Sequence, residues 1–138
     1  MTWTYRSEIF QEELIQDHIG FVYIITNLSN NRKYVGKKFF TKAASKQIKG
    51  KKKKIRVKSD WIDYFGSNEE LKEEVKNLGG DNFHREIIHL CKTKAECSYR
   101  ESYEIFIRDA LLKEEYYNSW ISCRIHKKHV IGKVSHGS

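Results

Sequence analysis

The chain has 138 residues, 26 Lys and Arg against 18 Asp and Glu, and a formal net charge of +8. That length fits one domain with its own core, and the charge favours an anionic partner, nucleic acid first, without naming a chemistry. No apolar run approaches the roughly 20 residues of a membrane span, the opening residues lack the apolar stretch of a signal peptide, and three cysteines (Cys91, Cys97 and Cys123) suit a reducing compartment better than a disulfide framework, so the expectation is a cytoplasmic protein with no membrane partner.

Residues 7–17 read as a short amphipathic helix within an N-terminal extension (1–19), with Ser7 as its N-cap and Ile9, Phe10 and Leu14 apolar. Gly20 breaks that pattern. Residues 21–26 are β-branched and aromatic and read as a buried strand. Asn27-Leu28-Ser29-Asn30-Asn31 is a turn, and residues 33–37 return as the second strand of a hairpin. Residues 49–58 carry seven basic side chains, and such a block of like charge self-repels and reads as a mobile loop. Trp61, Tyr64 and Phe65 follow, and they read as anchors of that loop to the core rather than as stacking partners for DNA bases. Residues 68–78 read as a helix: Asn68 caps it, Glu69 and Glu70 favour its N-terminal dipole, and Gly79-Gly80 ends it. Residues 85–91 form a third strand. Thr93 caps a long helix reaching about Lys113, with Glu96 in capping-box position. The basic tail from residue 123 is expected to end in disorder. A three-stranded sheet packed by helices makes this an α+β domain.

Several residues in this layout invite chemistry. Strand alternation puts Phe21, Tyr23 and Ile25 on one face, and Tyr34 and Gly36 on one face of the returning strand. Pairing can bring both tyrosines to the same side, and Gly36 lets a backbone or ligand come close. Glu101 has Cys97, Ser98, Glu104 and Ile105 at helical offsets, so its own helix offers no basic partner, whereas Glu104 has Arg100 and Arg108. Glu101 shares a stripe with Ile105 and Leu112, expected to face the sheet. A carboxylate leaning toward a core needs a cation or donors from elsewhere, and a hard oxygen ligand suits Mg2+. Each feature has an ordinary reading as well: tyrosines pack sheets and lysine runs are solvated. Tyr99, Tyr103, Phe106 and Ala110 form a second stripe, better explained by core packing or a subunit interface than by base stacking. His84 and His89 read as structural histidines. Cys123-x-x-His126-x-x-His129 is not a standard zinc spacing and reads as a half-buried cysteine with two solvated or DNA-facing histidines.

In chain order, Phe21-Val22-Tyr23, ten residues, then Tyr34-Val35-Gly36-Lys37 resembles the signature of the GIY-YIG nuclease superfamily, with Phe21 where glycine is usual and Val35 for isoleucine. Arg100-Glu101-Ser102-Tyr103 resembles the helix that bears that family's metal-binding glutamate, and Tyr117-Asn118 its closing pair. The likeness covers about residues 20–119, and small phage and mobile-element (homing) endonucleases are nearest in style. It implies a small antiparallel sheet flanked by helices, a nuclease domain over residues 20–122 with a basic insertion near 42–58, and metal-dependent hydrolysis of double-stranded DNA. Tyr23 would be the general base and Tyr34 would position the water or phosphate. Lys37 would lower a tyrosine's pKa. Glu101 would hold one Mg2+ or Mn2+ per active site, and Asn118 would support the site by hydrogen bonding. Ala44 stands where the family's arginine is usual, so Arg56 is assigned that role. Lys38, Lys51, Lys52, Lys53, Lys54 and Lys58 are expected on DNA phosphates, and a homodimer would serve double-strand cutting. The alternatives are a non-catalytic nucleic-acid-binding module retaining the fold and, on charge alone, a small RNA-associated protein.

Overall fold

The hairpin after residue 19 is the centre of the fold. A computed structural model describes residues 2–121 and residue 127. In it β3 (Gly20–Asn27) pairs antiparallel with β4 (Lys33–Phe39) on one side and with β7 (Phe83–Cys91) on the other. The turn between β3 and β4 uses Asn27, whose carboxamide oxygen accepts from the Ser29 N–H and hydroxyl, and Asn31 at φ 59°.

The N-terminus corrects the expectation of a helix. Residues 3–9 form β1 (Trp3–Tyr5) and β2 (Glu8–Ile9), joined through Arg6 and Ser7, both at positive φ as a tight hairpin requires. Trp3 decides this: it is 2% exposed and meets the rings of Phe21 and Tyr23 edge-on at 5.0 and 5.2 Å. Ile9 and Leu14, which suggested an apolar helix face, are exposed. β1 runs parallel to β7, so the main sheet is five-stranded and mixed, in the order β2-β1-β7-β3-β4, rather than three-stranded and antiparallel.

The basic stretch is a second sheet, not a loop. β5 (Thr41–Ile48) and β6 (Lys51–Lys58) pair over their whole length. Lys49 and Gly50, at φ 51° and 78°, make the two-residue turn that matches strand twist.

α1 (Glu69–Leu78) is capped by Asn68, which accepts from the Leu71 N–H, and α2 (Lys94–Ile107) by Thr93, which accepts from the Glu96 N–H. The Glu96 carboxylate takes the Lys92 N–H, one residue before the capping-box partner. α2 stops six residues short of Lys113, with Asp109 at φ 51° just beyond. Leu112 is therefore exposed, while Ile105 does face the sheet. Tyr99, Tyr103 and Phe106 lie on the solvent side, and core packing does not describe them; Ala110 is buried.

One sheet face carries Phe21, Tyr23 and Ile25 against Trp3, Phe40 and Trp61; the other carries Val22, Ile24 and Val35 against Cys97 and Ile105 of α2. Phe21 fills the first cluster, its ring 5.0 Å from both Trp3 and Phe40. The tight approach falls one residue earlier: a Cβ on Gly20 would lie 2.7 Å from Phe39 and 2.8 Å from the Lys38 carbonyl. Trp61, 3% exposed, anchors the base of the β5–β6 ribbon as expected, its carbonyl accepting from the Trp3 indole.

Glu104 is buried beneath α2 within 3.6 Å of both His89 and Arg108. His89 and then Arg108 hold its carboxyl below the usual range. A folded value below the unfolded one contributes stability at neutral pH that is lost as pH falls through the folded value. Glu104→Gln is expected to lower stability at pH 7 by about 1–3 kcal/mol. The gap to the wild type should close as pH drops below about 4.3, the unfolded value. Urea titrations across pH check this; a gap constant down to pH 3 would mean that charge is not what Glu104 contributes.

Candidate active site

β4 is one of the two edge strands of the main sheet, and the groups on its free edge build the candidate site. Lys33 comes first: its N–H donates to the Glu115 carbonyl at 2.8 Å, and its carbonyl accepts from the Tyr117 N–H at 2.7 Å. Val35 is next, bracketed by the Asn118 carboxamide, which accepts from its N–H at 3.0 Å and donates to its carbonyl at 2.8 Å. Asn118 thus stands in for one residue of a neighbouring strand. Lys37 is third, and there the neighbour is Glu101 from α2, with the Lys37 ammonium 3.7 Å from its carboxylate.

Past Asn118 the edge opens into a cleft of about 430 Å³, lined among others by Tyr34, Lys37, Ser67, Glu101, Asn118 and Trp120. The Tyr34 hydroxyl lies 3.0 Å from the Ser67 hydroxyl. The Lys37 ammonium also donates to Ser98 at 3.0 Å. Burial raises the Glu101 carboxyl, and Lys37 opposes this with both its ammonium and its backbone N–H. The missing partner inferred from the helix offsets is therefore Lys37, on a different element.

Tyr23 stands behind this wall. Its cross-strand partner is Gly36, and Tyr34 faces Ile25, so the tyrosines are diagonal neighbours on one face with rings 6.2 Å apart. The Tyr23 ring crosses Gly36: a Cβ there would lie 2.3 Å from its hydroxyl oxygen and 3.0 Å from Tyr34. Glycine is what allows a side chain from the inner strand β3 to extend over the outer strand. A bulge in β7 falls at the same level, since Val22 pairs with His89 but Tyr23 with Ile87. Tyr23 is fully buried, and the Tyr64 ring meets it edge-on at 6.1 Å.

The electrostatics reverse one expectation. Burial pushes the Tyr23 phenol well above 10, with Tyr64, Tyr34 and Glu101 adding to it. Burial also raises Tyr34, against the Ser67 hydrogen bond, and Glu101 adds to the rise. Lys37 is engaged with Glu101 and Ser98 and does not lower either phenol.

Arg56 is not brought to the cleft. It lies on β6, exposed, donating to the Thr41 carbonyl at 2.8 Å and to the Thr41 hydroxyl. Among the described residues no arginine lines the cleft. Arg85 is buried under Trp3 and Phe65, donating to the carbonyls of Ile62 and Tyr64. Of the lysines expected on DNA, Lys51 to Lys54 are exposed on β6, Lys58 pairs with Glu12, and Lys38 pairs with Asp60 at 2.7 Å while covering the Tyr64 ring. His89 lies beside Glu104, and His84 is exposed near Thr4. Cys123, His126 and His129 lie outside the described residues.

Sequence reasoning gave Ser67 and Ser98 no role at the site and read Tyr64 only as an anchor of the basic stretch. Ser67 had a signal, since it adjoins the helix cap Asn68. Ser98 had one too, three residues before Glu101 on the same helix, while the contact of Tyr64 with Tyr23 joins distant elements and left no local signal. Tyr117 serves the frame: its hydroxyl donates to Glu74 and accepts from Asn27, and the Arg32 guanidinium lies 4.1 Å above its ring.

A tyrosine crossing a glycine beside a second tyrosine, with a helix-borne glutamate at the same strand edge, is the arrangement of a GIY-YIG domain. The family model described as "Putative endonuclease segE, GIY-YIG domain" matches residues 3–121, and the chain belongs to that family. Among curated proteins it is similar to the "Putative endonuclease segE" of Enterobacteria phage T4, with 31% identity over 99 residues, 71% of this chain and 39% of that protein. The chain thus spans about two fifths of that relative's length. No solved structure matches. Among the described residues no helix is long and apolar enough to cross a membrane.

Proposed function

We propose that the chain is a metal-dependent endonuclease that hydrolyses phosphodiester bonds in double-stranded DNA. The observation that carries this is the convergence of Tyr34, Lys37 and Glu101 on one cleft at the β4 edge, with Tyr23 directly behind across Gly36.

The donor set fits a hard dication. Among the described residues no three His, Cys, Asp or Glu side chains gather as a ligand cage, but Mg2+ keeps several waters and takes only one or two carboxylates. Glu101 offers one carboxylate, with the Tyr34 and Ser67 hydroxyls on the same cleft. One Mg2+ or Mn2+ held there would supply charge stabilisation at the departing 3′ oxygen. Lys37, released from Glu101, would neutralise a non-bridging phosphate oxygen. Tyr34 would orient the attacking water from the cleft wall, and Tyr23, acting as the phenolate after losing its own proton, would accept the water's proton as the new P–O bond forms and the bond to the 3′ oxygen breaks. Asn118 is a positioning residue that holds the strand edge. Lys51, Lys52, Lys53, Lys54 and Arg56 would contact phosphates, while Lys38 and Lys58 would first exchange Asp60 and Glu12 for phosphate. Cutting both strands at once would take two copies, and the exposed Tyr99, Tyr103 and Phe106 stripe offers a homodimer surface.

The absence of a cleft arginine among the described residues favours a second reading, a nucleic-acid-binding module that keeps the fold without the chemistry. Plasmid cleavage separates the two. Supercoiled plasmid with Mg2+ or Mn2+ is expected to be nicked, and EDTA to stop it. Duplex binding with no cleavage under any divalent ion would establish the module instead.

A further inference from the structure

Residues 41–58 hold eight lysines, one arginine and no Asp or Glu. They form a sheet of their own, separate from the five-stranded one. Apart from Ala44, Ile55 and Val57, every residue of β5 and β6 is exposed. The ion pairs of this region sit at the ribbon's base, Lys58 with Glu12 and Lys38 with Asp60. Further out, Lys46 lies directly opposite Lys53, and facing like charges destabilise a sheet until an anion is near.

The two faces of the ribbon differ. One carries Ala44, Ile48, Ile55 and Val57 among its lysines; the other pairs Thr41, Ala43, Ser45 and Gln47 of β5 with Lys58, Arg56, Lys54 and Lys52 of β6. On that second face β5 is short and neutral, so the backbone can come close to a surface, while β6 flanks it with long cations. Gln47, Ser45, Lys52 and Lys54 carry donors and acceptors of the kinds that pair with base edges: Gln with adenine, Lys with guanine, Ser with either.

Dimensions select the groove. Strands about 4.8 Å apart, with side chains on both faces, match a two-stranded ribbon in a major groove about 12 Å wide and overfill a minor groove about 6 Å wide. The ribbon's base is fixed to the cleft. Only Phe40 separates β4 from β5, and its ring is buried against Phe10 and Trp61. Its N–H donates to the Ile19 carbonyl, and its carbonyl accepts from the Ser59 N–H at the end of the ribbon. Whatever the ribbon grips is thereby placed relative to Tyr34 and Lys37 on β4.

We infer that the β5–β6 ribbon lies in the major groove of duplex DNA, its Ser45, Gln47, Lys52 and Lys54 face contacting base edges and setting where the neighbouring cleft cuts. This rests on the nuclease reading for its cutting readout, and its binding readout is independent of catalysis.

Binding is measured in EDTA on a random-sequence duplex pool. Methyl green, a major-groove ligand, is expected to weaken binding at least tenfold, and netropsin, a minor-groove ligand, to leave it unchanged. Replacing residues 45–54 by Asn-Gly joins Ala44 to its own cross-strand partner Ile55 and removes the outer ribbon. That variant should lose the methyl green effect, and the slope of log affinity against log salt should fall by about 0.9 for each phosphate contact removed. Gln47→Ala and Ser45→Ala, at exposed positions that leave the fold intact, should shift the base preference of sequenced cut ends while the salt slope, which counts phosphate contacts, stays the same. Displacement by netropsin alone, or unchanged binding and salt slope in the trimmed variant, would overturn the proposal, as would cut ends unchanged in both point variants. If the wild type binds with the expected groove sensitivity but never cuts, the nuclease reading fails and the ribbon's placement stands.

Discussion

Glu101→Gln is expected to reduce Mg2+-supported cleavage by about 10³-fold while duplex binding stays within about twofold. Among the described residues the carboxylate is the one acidic group on a cleft that otherwise offers Lys37 and neutral side chains. A metal held at the departing oxygen is worth several kcal/mol of transition-state stabilisation. About 4 kcal/mol corresponds to that loss at about 1.36 kcal/mol per tenfold. The amide keeps the shape, and its oxygen can still accept from Lys37, so the fold should survive. Burial already disfavours the charge on Glu101, and the urea midpoint should accordingly move little. The decisive comparison is the single-turnover nicking rate of Glu101→Gln and wild type at saturating Mg2+. Rates within tenfold of each other would remove Glu101 from the chemistry.

Tyr23→Phe is expected to slow cleavage by about 10²-fold or more, the usual scale for a positioned proton acceptor. Its signature is the pH profile. Both phenols are raised by burial, so their basic forms are scarce at neutral pH. The wild-type rate should therefore climb about tenfold per pH unit from about 6 to 9 if ionisation of an ordinary or raised phenol limits it. In Tyr23→Phe the climb should flatten. A flat wild-type profile would show that no phenolate takes the proton. Gly36→Ala tests the same geometry from the other strand. The new methyl group would sit 2.3 Å from the Tyr23 hydroxyl, costing about 1–3 kcal/mol of stability by overpacking. A displaced Tyr23 should cost about 10²-fold in rate, as for a misplacement of about 1 Å. An unshifted denaturation midpoint in Gly36→Ala would mean that Tyr23 does not cross β4 at this point.

Local chemistry made part of this molecule legible. The β3–β4 hairpin was readable because the Asn-rich turn and the alternating strands point the same way. The caps Asn68 and Thr93 were readable because a cap needs only its own next three residues. The helix offsets of Glu101 announced an absent partner without naming it. The N-terminal strand was not readable, because β1 is three residues long and its pairing joins Trp3 to Arg85 across the chain. The spacing of Ile9, Phe10 and Leu14 imitated a helix face, yet only Phe10 is buried. In the basic stretch, charge masked a plain β pattern whose one local clue was Gly50.

The sequence by itself determined the order of the site's parts: paired tyrosines around a glycine, a lysine after it, a glutamate on a capped helix, an asparagine at the close. Strand alternation and helix offsets supplied the tyrosines, the glycine and the glutamate, whereas the lysine and the closing asparagine came from the family resemblance. The tertiary structure decided that β4 is an edge strand, so that Asn118 and Glu101 reach its free edge, and that Tyr23 lies sealed behind Gly36 with its phenol raised. It also decided that Arg56 belongs to a ribbon and not to the cleft. These depend on sheet order and on burial by Trp3 and Tyr64, and a side chain's exposure and ionisation follow from neighbours that arrive from distant parts of the chain.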